Sequence, residues 1–415
     1  MFMCFVFYDN IPTTGSFMNM LKISRDLKLL ITIRGLRTVS DLFLGTFFVS
    51  FIMHNSLSGI TSVSMYKLFE YVAICSGFLL MANWFKKINK VYFMALGILP
   101  KIALLLFIMF AGSGVIDSLI LTGLFFGFST AAYCLPANTL TSEYATTDII
   151  GRYNGISTSV SYIVKVIAPV ILGFFIDVGS FSQVAPVLLF FSVIELACVL
   201  MLTPSRPESN PNLDVRGFIC CVRRCPDISR LFLVEVFFTF GLEALRTVVS
   251  MYIVYLFFTD LNLGILTTIF SLCSIITSFL FSRYGRQSNY SYIMFVSMMF
   301  ILLVMSLFVF HTTQMTFILY NFMCSTAIVL LDLITSTYVL KMSHNKHICD
   351  NFKVEYFTAR EVVLFIGRWA AFVGLMYVGV FGGYPWLRWY MVVLIMSLIV
   401  SCVMAMRLSH RLPGR

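Results

Sequence analysis

The sequence predicts an all-α membrane protein of twelve transmembrane helices, arranged as two pseudo-symmetric bundles of six. Three observations carry that expectation. The chain is 59% hydrophobic and only 12% charged, with a mean hydropathy of +0.92, far from the composition of soluble domains. Its apolar residues fall into twelve runs of about 20 to 28, each long enough to cross a bilayer as a helix. Its longest polar interval, 204–230, sits midway along the chain and separates six runs from six.

In order, the first six spans are predicted at about 29–53, 66–85, 91–112, 115–141, 155–177 and 184–203. The second six follow at about 231–258, 262–282, 290–310, 314–340, 361–383 and 387–406. Lipid offers no partner to a backbone N–H or C=O, so runs of this length are helices. The implied organisation is an N-terminal segment (1–28), a first bundle (29–203), a linker (204–230), a second bundle (231–406) and a tail (407–415).

Charge sets the expected orientation. With both ends in the cytoplasm, the inside segments hold 21 of the 29 Lys and Arg, and the outside turns hold only Lys67 and Arg388. That is the positive-inside bias, and it accounts for most of the net charge of +10. The basic residues are dispersed at helix ends, so no nucleic-acid partner is expected. Met1 to Tyr8 is apolar without a basic leader, too short for a span and unlike a cleavable signal. A surface-lying segment, or a true start at Met18 or Met20, would each explain it.

The turns between spans two and three and between spans eight and nine share a pattern. Ala82-Asn-Trp-Phe-Lys86-Lys87-Ile88-Asn89-Lys90 and Ser278-Phe-Leu-Phe-Ser282-Arg283-Tyr284-Gly285-Arg286 both read small-x-x-x-polar-basic-x-turn-basic. The second resembles the Gly-x-x-x-Asp-Arg-x-Gly-Arg signature of the major facilitator superfamily through Arg283, Gly285 and Arg286. Ser278 and Ser282 replace its Gly and Asp, and Lys86 stands at the Asp position of the first copy. The resemblance in topology covers about residues 21–410. It implies secondary transport, with the basic residues of these loops latching the cytoplasmic side. The missing acids depart from that latch.

Ala168-Pro169-Val-Ile-Leu-Gly173 in span five resembles an element of the superfamily's antiporters, although close packing or a kink explains Pro169 and Gly173 equally. Gly123 stands where drug/proton antiporters often carry an Arg, four residues before Gly127, which weakens a drug-pump reading.

An ionisable group at mid-bilayer costs roughly 2.5–3.5 kcal/mol on insertion scales and needs a partner or a wet cavity. Span one carries Arg34, Arg37 and Asp41, spaced onto one face, with Arg37 and Asp41 an i, i+4 pair. Span seven carries Glu235, Glu243 and Arg246. The resemblance makes spans one and seven symmetry mates lining a central cavity. It would bring Arg34 level with Glu235, and Asp41 with Glu243, across that cavity. Lys165, Asp332 and Arg368 join this set, and Glu361 lies seven residues from Arg368 on one face, as a gate pair or a boundary anchor. Lys101 and Glu195 fall in spans three and six, where a cavity role is not expected.

No Walker phosphate loop, dinucleotide fingerprint or soluble catalytic domain is found, and no cofactor is expected. Cys220, Cys221 and Cys225 lack zinc-site spacing. His344, His347 and Cys349 form a loose group, but no metal site is expected. The resulting expectation is a monomeric transporter, not an enzyme, in a bacterial inner membrane. It would move a small organic or peptide-like solute, as a proton-coupled exporter using Asp41 and Glu243. An importer of a nutrient or anion, held by Arg34, Arg37 and Arg246, is the rival on the same scaffold. A non-transporting receptor or immunity protein is the rival from another class.

Overall fold

The computed structural model describes residues 24–85, 87–144, 147–204, 214–257, 259–284, 289–311, 313–343 and 352–409. Twelve long helices run through them. The first six are α1 (Arg25–Asn55), α2 (Gly59–Phe85), α3 (Lys90–Ala111), α4 (Leu119–Tyr144), α5 (Thr147–Val178) and α6 (Phe181–Leu200). The second six are α7 (Pro226–Phe257), α8 (Asp260–Tyr284), α9 (Tyr290–Phe310), α10 (Gln314–Ser343), α11 (Lys353–Phe381) and α12 (Gly383–Ser409).

Local chemistry sets several ends. The Ser24 hydroxyl accepts from the Leu27 amide, and the Asn89 side chain accepts from the Val91 amide, capping α1 and α3 as short polar side chains do. A seven-residue 3-10 segment, Gly112–Ser118, turns α3 into α4, and Gly383 turns α11 into α12. Gly112 and Gly383 take φ of 53° and 60°, a region that only glycine enters without strain. Within α1, Phe43–Phe47 widens to a π-helical turn. It sets Phe43 and Phe51 against Phe181 of α6, with ring centroids 4.2 and 4.4 Å apart.

Each half packs mainly on itself. In the first, α4 lies on α2 and α3, α3 on α6, and α1 on α5 and α6; in the second, α7 lies on α11 and α12, and α10 on α8 and α9. The two broadest seams between the halves are α2 with α11 and α5 with α8, and the end of α1 also meets α7. The outer faces are apolar. Along α9, Tyr292, Phe295, Met299, Leu303, Leu307 and Phe310 are all exposed at three- to four-residue spacing, a stripe that lipid covers and water would not. The chain is an integral, multi-pass membrane protein.

Among the described residues, ten stretches are apolar and long enough to cross a membrane, one of them running through both α3 and α4. Helix α7 is not among them, and it carries Asp227, Arg230, Glu235, Glu243 and Arg246. One boundary shift matters for function. Helix α2 begins at Gly59 rather than about 66, so Lys67 is not in an outside turn. It is buried two turns inside the helix. Thr61, Ser62 and Ser64 made this stretch look polar, but Ser64 returns its hydroxyl to the Ile60 carbonyl at 2.7 Å, which a helix accommodates.

The linker also contains structure that its composition concealed. A short helix, Val215–Arg224, is capped by Asp214, whose carboxylate accepts from the Gly217 amide at 2.8 Å. Phe218 packs inward toward Phe352 while Arg216, Arg223 and Arg224 point out.

Candidate functional site

Several of the charged residues within the helices gather near one depth. Call the end bearing the short turns after α1, α5, α7 and α11 the far end, opposite the basic loops. At 1.5 Å per residue, Asp41, Lys165, Glu195, Glu243 and Arg368 all lie about 20 Å from their far helix ends, and Glu70 about 17 Å. A hydrocarbon core is about 30 Å thick, so this layer sits near its middle.

In the first half the layer is a chain of alternating charge. Arg37 is buried and pairs with Asp41 at 3.6 Å and with Glu195 of α6 at 3.8 Å. Glu195 also takes a short ion pair from Lys101 of α3, and both of these side chains are 0% exposed. The Arg37 guanidinium lies 4.2 Å from the centroid of the Tyr133 ring of α4. Lys101 and Glu195 therefore satisfy each other and hold Arg37 in place, which explains two charges on helices with no cavity role. Asp41 ends the chain, and its side chain is 45% exposed. Two residues further along α1 begins the π-helical segment, a feature often found beside working residues.

In the second half, Arg246 holds Glu243 at 3.5 Å and Asp332 of α10 at 3.9 Å. The Arg246 and Asp332 side chains are 55% and 47% exposed at this depth. Glu361 and Arg368 lie 3.5 Å apart on α11. The halves meet through Tyr71 of α2, whose hydroxyl donates to Glu243 at 3.5 Å, whose ring lies 5.2 Å from the Arg368 guanidinium, and which packs on Phe372. Beside it in α2, Lys67 and Glu70 form a buried pair at 2.7 Å.

Lys165 of α5 belongs to the same layer. It is exposed, but two residues along a helix is a 200° turn, so it faces away from the exposed Ile163 and Ile167 that meet lipid. It lies within electrostatic reach of Arg34, Asp41, Arg246 and Asp332. Arg34, also exposed, donates to the Ser157 hydroxyl of α5 at 3.2 Å.

Glu235 is a correction. It is buried and turned to Arg360 of α11 at 2.7 Å, tying α7 to α11 instead of facing Arg34. Asp41 and Glu243 share a depth, but each pairs within its own half or with Tyr71, and no described ion pair joins them. Of the loop motif residues, Lys87 is exposed in a turn and Lys90 is buried as the first residue of α3. Lys86, Gly285, Arg286 and the side chain of Arg283 lie outside the described residues, as do His344, His347 and Cys349. Elsewhere among the described residues, no three His, Cys, Asp or Glu side chains gather as a ligand set for a metal.

Pro169 and Gly173 prove to be packing residues of the α5–α8 seam. A Cβ on Gly173 would meet the Asp260 carbonyl, and one on Gly264 would run into the Pro169 carbonyl. Gly123 and Gly127 play a like part within the first half, where their faces lie against the α2 backbone at Tyr66 and Glu70. No arginine fits at Gly123.

The α5–α8 seam continues to the far end. There Asp177 accepts from the amides of Asp260 and Leu261 at 2.9 and 3.0 Å, capping the start of α8 from the other half. Ser50 of α1 donates to Asp260 in turn. A carboxylate at a helix N-terminus typically contributes about 0.5–2 kcal/mol. Asp177→Ala should therefore raise the population with the far end open by about 2- to 30-fold, read as faster modification of a cysteine placed in the seam.

Sequence reasoning missed Glu70, Tyr71, Asp177 and Asp260. Lys67-x-x-Glu70, an i, i+3 pair at the head of an apolar run, was the available signal for the first. Asp177 and Asp260 lie at span ends, where acids are ordinary, and only the seam gives them meaning.

These features define a two-bundle, multi-pass membrane protein with a charged layer at mid-depth. The sequence profile described as the Major Facilitator Superfamily matches residues 30–348, and the chain belongs to that superfamily. Solved structures share the fold closely. A bacterial homologue of the iron transporter ferroportin, in an inward-facing state, superposes with a TM-score of 0.67 at 10% identity, covering 93% of this chain and 98% of that one. A bacterial metal transporter gives 0.63 at 12% identity, over 94% and 99%. The human organic anion transporter MFSD10 (TETRAN) gives 0.63 at 11% identity, over 92% and 99%. No curated protein matches the sequence. At such identities the likeness is one of fold.

Proposed function

We propose that this chain is a secondary active transporter that passes a small organic solute through its centre by alternating access, coupled to protons at Asp41 and Glu243. The observation that carries this reading is the set of half-exposed charges, Asp41, Arg246 and Asp332, which come from both halves and lie within electrostatic reach of Lys165. Charges inside the membrane need a partner or a wet cavity; half-exposed ones point to the cavity, and a cavity between two movable halves is what a carrier needs. The bundles 29–203 and 231–406 are the moving bodies, and the basic loops face the cytoplasm of a bacterial inner membrane. On that orientation the Asp177 seam closes the outside and the cavity opens inward.

Asp41 is suited to coupling because its only described ion-pair partner, Arg37, is shared with Glu195. Protonating Asp41 leaves Arg37 paired, so the proton can come and go without stranding a buried cation. Glu243 is placed to report the same event across the seam, since it holds Arg246 and Tyr71 together. Export is favoured over import by the Pro169 to Gly173 element, which resembles that of antiporters and lies in the α5–α8 seam that must open.

In proteoliposomes, Asp41→Asn should abolish flux driven by a pH gradient while the protein still inserts. Unchanged flux in both Asp41→Asn and Glu243→Gln would remove proton coupling. A chain that carries no solute and tolerates both changes would be a receptor.

A further inference from the structure

We infer that the solute carries an anionic head group, a carboxylate or comparable oxyanion, seated between Arg34 and Lys165; this rests on the transport reading above. The argument begins with which charges already have partners. Asp41 is paired with Arg37, and Glu243 and Asp332 share Arg246. Glu361 holds Arg368, and Glu70 holds Lys67. Among the described residues, Arg34 and Lys165 have no carboxylate within ion-pair distance. Arg34 has only the Ser157 hydroxyl, and Lys165 has only the face of the Tyr162 ring, 5.8 Å away.

These two cations are within electrostatic reach of each other and of Arg246. Like charges at this depth raise each other's energy, because the surrounding lipid and protein screen them poorly. An anion between them removes that cost and gains charge-assisted hydrogen bonds. A cationic head would meet the opposite situation, since among the described residues the carboxylates around this site, Asp41, Glu243 and Asp332, already have partners.

The neighbouring surface fits an anion in detail. Ser157, Ser161 and Lys165 recur every four residues along α5, so they form one stripe facing Arg34 of α1. Ser157 and Ser161 are buried along it, which makes the stripe a built part of the interior. All of these groups belong to the first half, while Asp332, a half-exposed carboxylate of the second half, stands within electrostatic reach of Lys165. Closing the halves around the anion would bring Asp332 and Arg246 toward it with opposite effects.

The test uses purified full-length protein in lipid nanodiscs and three probes with one ring and different heads: benzoate, benzamide and benzamidinium. Benzoate should raise the melting temperature or quench tryptophan fluorescence with at least tenfold higher affinity than the other two. Lys165→Met and Arg34→Gln should each weaken benzoate at least tenfold, and Lys165→Arg should restore it. Asp332→Asn should strengthen benzoate, a gain that misfolding cannot imitate. Equal response to the three probes, preference for benzamidinium, or no response to any would overturn the assignment. Counterflow of benzamidinium without benzoate in proteoliposomes would overturn it while leaving the transport reading intact.

Discussion

Glu195→Ala is expected to destabilise the protein by roughly 3–5 kcal/mol, because it strands the buried Lys101 and removes one of the two carboxylates that hold Arg37. Lys101 has no exposed surface at all, and its described ion-pair partner is Glu195. Arg37 would keep Asp41 at 3.6 Å and the Ser129 and Thr130 hydroxyls. Lys101, among the described residues, has no second carboxylate to turn to. The mutant should therefore show a large loss of melting temperature in detergent and poor recovery from membranes. The double mutant Glu195→Leu with Lys101→Met is the informative control. Replacing a buried pair by apolar side chains of similar size is often neutral, so most of the stability should return. If Glu195→Ala melts like the parent protein, the chain of charges from Lys101 to Asp41 is not what holds the first half together.

Gly264→Val is expected to have the second large effect, on conformation more than on folding. A side chain at Gly264 has nowhere to go, because the Pro169 carbonyl of α5 occupies its space. Backbone cannot yield as a flexible side chain can. Overpacking of this kind costs about 1–3 kcal/mol, and the seam can escape that cost by parting. Only the closed far-end state carries the penalty, so the open state should gain about 5- to 150-fold in population. Distances measured by electron spin resonance between labels on the far ends of α5 and α8 should lengthen, and transport should fall sharply while the protein remains folded. Gly173→Val should act in the same direction, through the Asp260 carbonyl. The loss of Asp177 described above acts there more weakly, because it removes an attraction and adds no clash.

Much of this molecule was legible in its residues, and the reasons are physical. A span must be apolar over its whole length, so hydropathy located the helices; α9 begins and ends where the apolar run does. The starts of α2, α5 and α11 were misplaced by about seven or eight residues because hydroxyls and charges at a membrane surface are compatible with helix. The i, i+4 and i, i+3 spacings placed Arg37 with Asp41 and Glu243 with Arg246, since a single helix fixes those distances. Glu235 could not be read that way. Its neighbour is Arg360, 125 residues later, and nothing in the local sequence shows that α11 brings that guanidinium to it.

What the sequence by itself determined is the count and order of the helices, the central linker and the presence of costly charges inside the apolar runs. These follow from length, polarity and helical pitch, which are local properties. Tertiary structure decided which charges are partners. It put Lys101 with Glu195, joined α2 to α7 through Tyr71, placed the Asp177 carboxylate on the start of α8, and left Arg34 and Lys165 without acids among the described residues. Pairing is a matter of a few ångströms between different helices, and only their packing sets distances of that size.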